Sequence, residues 1–103
     1  MTTDLDFNVL ADLIREKIIF EGLELQNEGI VIDNVKNETL LFDSNGLGLD
    51  SISGLELLAS VQREFGIKLN NVNQQFIEEN FSTIKNIANL VIEVRSSDNK
   101  NSG

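Results

Sequence analysis

The sequence predicts an all-α domain: an antiparallel bundle of three main helices and one short one, with a long first connection. Three observations carry this. Apolar residues recur at spacings of three and four in the stretches 5–20, 51–65 and 83–95, the period of a helix with one buried face. Good capping residues stand at the segment starts, and the 103 residues contain no Pro to break them. The length fits one small domain with a modest core.

The first helix is expected from Leu5 to Phe20. Leu10, Leu13, Ile14 and Ile18 form its apolar face, and the stem of Lys17 covers the edge. Asp4 and Asp6 suit the dipole at its start, and Gly22 is the expected stop. Residues 21–50 then read as connection. So long a loop is unusual in a compact domain, so Ile30, Val31, Ile32, Val35, Leu40, Leu41 and Phe42 are expected to anchor it across the helices.

The second helix runs from Ser51 to Phe65. At about 100° per residue, Gly54, Leu57, Leu58, Val61 and Phe65 share one quadrant, the core face. Gly54 costs helix propensity there, about 1 kcal/mol relative to Ala. Its bareness admits either a packed neighbour or a bound chain. The opposite side carries Ile52, Leu55 and Ala59, flanked by Glu56 and Arg63, a second apolar stripe with nothing obvious to pack against. Asn70 and Asn71 mark a turn. Gln74–Asn80 is a short third helix with Phe76 and Ile77 inward. Ser82 is the expected N-cap of the fourth helix, 83–95, whose apolar set is Ile84, Ile87, Ala88, Val91 and Val94. The domain is taken as residues 1–95. Residues 96–103, polar and small, are expected to form a disordered tail.

Composition excludes several functions. With no Cys and no His, the chain has no disulfide, no Cys/His zinc site and no Ser-His or Cys-His nucleophilic pair. Eight Lys/Arg against seventeen Asp/Glu give a net charge of −9, which argues against nucleic acid. An acidic surface steers basic protein partners, or simply maintains solubility. No signal peptide and no membrane-spanning run is read, so a cytoplasmic, monomeric protein without stable membrane insertion is expected. Asp43, Asn45 and Gly48 match three positions of a calcium loop, but Leu47 and Gly54 stand where two other ligands belong, so no metal is expected. Gly46-x-Gly48 lacks the third glycine of a dinucleotide fingerprint. Glu78-Glu79 reads as a solvated face.

One stretch carries more. Gly46-Leu47-Gly48-Leu49-Asp50-Ser51-Ile52 places a serine at the mouth of the second helix, after an acid and a glycine-bearing approach. Asp50 as N-cap leaves Ser51 in the first turn, where unpaired N–H groups and the dipole favour an anion such as a phosphodiester. Gly46 and Gly48 are expected to clear bulk from in front of the hydroxyl. An Asp-Ser pair alone is ordinary capping chemistry. The longer run is specific: Thr39, Leu41 and Phe42, then Leu47 to Ile52, Glu56-Leu57 and Glu64-Phe65-Gly66-Ile67.

Over residues 39–69 closely, and elsewhere in layout, the chain resembles the acyl carrier protein family. The resemblance implies an acyl-carrier-like four-helix bundle and a covalent 4′-phosphopantetheine on Ser51, with Asp50 aiding the phosphopantetheinyl transferase. Its role would be to hold an acyl group as a thioester and present it to ligases, synthases or acyltransferases, without being an enzyme itself. It also implies partner docking on Ile52, Leu55, Glu56 and Ala59. Leu57, Leu58, Val61, Phe42, Phe76 and Ile84 are candidates to shelter an acyl chain, although most would be core in any case. Ser53, Gln62 and Arg63 fall where the family commonly has acids, and 70–81 is rich in Asn and Gln. Those departures point to a specialised carrier in polyketide-like, lipid or other secondary metabolism rather than housekeeping fatty acid synthesis. Alternatives are an aminoacyl, D-alanyl or peptidyl carrier, and an unmodified helical interaction module of the same fold.

Overall fold

The computed structural model describes residues 6–70 and 72–101. Asp4, Leu5 and Asn71, named above, and residues 102–103 of the expected tail lie outside them. Among the described residues there are four helical segments and no strands, an arrangement compatible with the acyl carrier four-helix bundle.

Helix α1 spans Phe7–Leu13 and is opened by Asp6, whose Oδ1 accepts from the Asn8 N–H at 2.8 Å. It continues as a π-helix over Ile14–Glu21. The wider i→i+5 turn swings Ile19 into line with Ile14 and Ile18, and all three are fully buried with Leu10 and Ala11. Leu13, expected inside, is only half-buried. Lys17 is exposed and reaches Glu21 at 3.8 Å. The segment stops at Gly22, as expected, which caps it while keeping right-handed helical angles. The reversal falls on Glu24, in the left-handed region at φ 53°. Gly22 is required for a different reason: a Cβ there would collide with the Ile18 carbonyl oxygen.

The first connection is packed down, as its apolar content demanded. Leu25, Val35 and Leu41 are fully buried, and short 3₁₀ turns cover Leu25–Glu28 and Ile32–Asn34. Val31 and Leu40 are not anchors: they stand 55% and 42% exposed. Backbone bonds tie the loop to the bundle. The Leu41 N–H donates to the Ser82 carbonyl at 2.8 Å, and the Lys85 N–H to that of Asn37 at 3.0 Å. Arg15 adds a side-chain clamp, donating to the Val35 carbonyl at 2.7 Å and to Asn37 Oδ1.

Helix α2, Ser51–Phe65, buries Gly54, Leu57, Val61 and Phe65, with Leu58 half-buried beside them. It ends at Gly66 in the left-handed region, and Arg95 donates to the Phe65 carbonyl at 3.0 Å, placing a cation at the negative end of the dipole. Helix α3, Gln74–Asn80, has the expected bounds and is capped by Asn73, which accepts from the Phe76 N–H at 2.8 Å. Ile77 is buried and Phe76 half-buried.

Helix α4 spans Ile84–Asn101. Its cap is Thr83 rather than Ser82: the Thr83 hydroxyl accepts from the Asn86 N–H at 3.1 Å. Ser82 instead holds the loop through its carbonyl and accepts from the Asn86 amide at 2.7 Å. The helix runs past Arg95, where the tail was expected to begin. No Gly or Pro follows before Asn101, and extending a formed helix costs far less than starting one. Helix α1 packs on α4, its π-helical extension on α2 and α4, and α3 on both α2 and α4. Among the described residues no polar or charged side chain is buried, so burial of apolar surface holds the bundle together.

Candidate functional site at the start of helix α2

The approach to Ser51 is built by backbone hydrogen bonds. Asp43 Oδ1 accepts from the Asn45 N–H at 2.8 Å, and its carbonyl accepts from Gly46 at 2.9 Å and Gly48 at 3.0 Å. The chain then doubles back on itself: Leu47 donates to the Leu40 carbonyl and Leu49 to that of Leu41, each at 2.8 Å. Two glycines make this course possible. Gly48 sits at φ +64°, and a Cβ at Gly46 would run into the Leu40 carbonyl. Their service is to the loop backbone, which the sequence alone did not reveal. Asp43 serves the same turn. Among the described residues no cluster of His, Cys, Asp or Glu could hold a metal ion.

The loop delivers Asp50 in extended conformation, and its Oδ1 accepts from the Ser53 N–H at 2.8 Å. That bond and one from the Ser53 hydroxyl hold the Asp50 carboxyl below its ordinary value of 3.8. Asp50 is therefore the N-cap, as expected, and Ser51 is the first helical residue, exposed to solvent. An oxygen nucleophile here is accessible and stands at the positive end of a 15-residue helix.

Beyond Ser51 the outer face of α2 stays open. Ile52 is 69% and Leu55 58% exposed, and Glu56 and Ala59 are exposed as well. The structure thus brings the four candidate docking residues onto one exposed stripe beginning beside Ser51. Of the three departures from the family's acids, two have local work. Ser53 bonds the cap. Gln62 Oε1 accepts from the Leu69 N–H at 2.8 Å, pinning the segment after α2. Arg63 alone faces outward, with a weak 3.4 Å contact to the Ser60 hydroxyl.

On the inner face, a Cβ at Gly54 would stand 3.3 Å from both Ile77 Cγ2 and Phe42 Cε1, so close packing explains the glycine. Of the candidates to shelter a chain, Leu57, Val61 and Ile84 are fully buried, and Phe42, Leu58 and Phe76 pack half-buried against them. They form the core. Glu78 and Glu79 accept from Gln74 and Gln75 at 3.1 and 2.9 Å, a solvated helix face. Sequence reading missed Thr83, Arg15 and Gln62. For Thr83, the hydroxyl three residues before Asn86 was the available signal. Arg15 and Gln62 act on carbonyl and N–H groups whose positions no local pattern reveals.

Comparison with known proteins adds the family. Residues 28–91 match the family described as "Phosphopantetheine attachment site", a span enclosing the loop, Asp50-Ser51 and helices α2 and α3. Searches of curated proteins and of solved structures found no match. Proteins of this family carry covalent 4′-phosphopantetheine, and their carrier domains work with phosphopantetheinyl transferases and biosynthetic enzymes. The exposed first-turn serine behind a capping aspartate fits such a group, and the chain belongs to the phosphopantetheine-binding carrier family.

Proposed function

We propose that this chain is an acyl carrier whose 4′-phosphopantetheine is attached to Ser51, serving a dedicated lipid, polyketide-like or related pathway. The observation that carries the reading is the placement of Ser51: exposed, first in α2, behind the Asp50 cap and inside the matched span. The bound group supplies a thiol that holds cargo as an activated thioester. The chain's own residues do the rest. The first turn of α2 offers the positive dipole end to the phosphodiester. The chain has no His to activate Ser51, so a transferase must supply the base. Ile52, Leu55, Glu56 and Ala59 form the surface that transferases and acyl ligases, synthases or acyltransferases read. The outward Arg63 reverses the charge at one docking position and supports a specialised partner set. Residues 1–95 are taken as the carrier domain.

The test is the intact mass of the protein after incubation with coenzyme A, Mg²⁺ and a broad-specificity phosphopantetheinyl transferase, beside Ser51→Ala. One phosphopantetheine on the wild type only establishes the attachment. No addition to the folded wild type, with transferases of both housekeeping and specialised type, sinks it.

A further inference from the structure

We propose that a groove across the first connection, opening beside the start of α2, is the resting seat of the phosphopantetheine arm. This rests on attachment at Ser51 as proposed above. The groove is made of two clefts that share a wall. One, of ≈ 230 Å³, has Asp50 and Ser53 on its rim, the residues flanking Ser51, and runs inward along Gly48, Leu47 and Ile30. The other, of ≈ 550 Å³, begins at the same Ile30 and Leu47 and continues to Thr39, Leu40 and Asn45. That volume lies within the roughly 300–1,000 Å³ typical of small-molecule sites. The half-buried Ile30 and Leu47 thus join a cleft at the attachment point to a larger one beyond it.

The lining matches the arm's chemistry. Past its phosphate the arm is uncharged and alternates apolar and hydrogen-bonding parts: a geminal dimethyl, a hydroxyl, two amides and a thiol. The groove alternates likewise, with Ile30, Leu47 and Leu40 interleaved with the Thr39 hydroxyl and the Asn45 amide, and Glu28 and Glu38 also line it as acceptors for the arm's amide N–H groups. The Thr39 oxygen accepts from the Lys36 N–H at 2.8 Å, which leaves its own proton to donate to an arm carbonyl. Leu40, 42% exposed although surrounded by a packed loop, gains a partner when the arm lies down. The competing cleft, ≈ 310 Å³ around Phe42, Asp43 and Glu78, lies on the other side of Leu40. None of residues 47–53 lines it, whereas the loop groove opens at Asp50 and Ser53 on either side of the attachment point.

The experiment is isotope-filtered NMR on the wild-type chain, labelled with ¹³C and ¹⁵N and carrying an unlabelled arm added from coenzyme A, its loading first verified by mass. Expected are NOEs from the geminal dimethyl protons to the Ile30 and Leu47 methyls. Amide shifts at Thr39, Leu40 and Asn45, relative to the unloaded chain, should accompany them. NOEs to Phe42 or Ile77 instead would place the arm between α2 and α3 and overturn the proposal. So would shifts confined to residues 50–53, the sign of an arm free in solvent. A chain that takes no arm fails at the mass measurement, which overturns the attachment reading and the groove with it.

Discussion

The two faces of α2 are cut from the same fifteen residues and obey different rules. On the inner face every position is fixed by what it touches: Leu57 and Val61 have no exposed surface, and Gly54 has no room for a methyl group without displacement. On the outer face Ile52 and Leu55 are just as apolar and touch little, at 69% and 58% exposed. Folding explains the first set completely and the second not at all. On the function proposed above, these apolar side chains, left in water along one stripe that starts beside an exposed serine, serve as a surface for partners. The contrast implies that inner substitutions change stability and spare modification, whereas outer ones do the reverse.

The largest expected effect is on the outer face. Ser51→Ala abolishes phosphopantetheine addition, read by intact mass, while its thermal midpoint matches the wild type, since an exposed serine that caps nothing contributes within about 0.5 kcal/mol. A shift of the midpoint would mean the hydroxyl also serves the fold and would blur the distinction between faces. On the inner face Leu57→Ala should lose about 2–5 kcal/mol, the range for large-to-small changes at fully buried positions, read by urea denaturation. The fraction that remains folded should still accept the arm. Gly54→Val comes next, at about 1–3 kcal/mol, because the added methyls press on Ile77 and Phe42. Gly54→Ala should cost less, since its propensity gain of about 1 kcal/mol works against the same contact.

Asp50 stands where the two faces meet, and its effect is smaller and depends on pH. Its carboxyl is held below 3.8 by bonds from Ser53, so the folded state prefers the ionised form. The stability this contributes is present above pH 3.8 and is lost as pH falls through the lowered folded value. Asp50→Asn keeps an acceptor at the cap, so it should match the wild type in neutral solution and lose this part of the acid dependence. Paired urea titrations at neutral and acidic pH measure it. An unchanged acid slope would show that the cap bond is not formed in solution.

Most of the bundle was legible because period and caps agree. Leu10, Ile14 and Ile18 in α1, the α2 core quadrant, and Asp50 before Ser51 each say the same thing locally and globally. The misses share one physical cause, contacts to backbone groups whose positions no local periodicity or capping pattern gives. Gly22 ends the first helix as read, but close approach to the Ile18 carbonyl requires the glycine there, and the left-handed residue is Glu24. Gly46 and Gly48 looked like clearance for a hydroxyl, but they answer to Leu40 and to a left-handed turn. Arg15 and Gln62 reach groups 20 and 7 residues away. At the site, Asp50 and Ser51 were legible because capping is a three-residue affair. The groove behind them was not, because it joins residues 30, 39 and 47 through loop turns that no periodicity encodes.

Leu55→Ala makes the smallest change to the molecule and most sharply tests the outer face. Leu55 is more than half exposed, so truncation should leave stability within about 0.5 kcal/mol of the wild type. If the stripe is read by partners, Leu55 lies at its centre, one turn from Ser51, where truncations at protein interfaces typically have their largest effect. Its contact would form on encounter and persist unchanged through phosphoryl transfer. The variant should therefore raise the carrier's KM for a broad-specificity transferase by roughly 2- to 10-fold with kcat nearly constant, the signature of lost uniform binding. Val9→Ala, a truncation of an equally exposed apolar residue on α1 outside the stripe, serves as the control and should leave both constants alone. Equal kinetics for Leu55→Ala and wild type would mean that this transferase reads the serine and its cap without the helix. The exposed leucine would then belong to a later partner, and the same comparison with an acyltransferase would show which one.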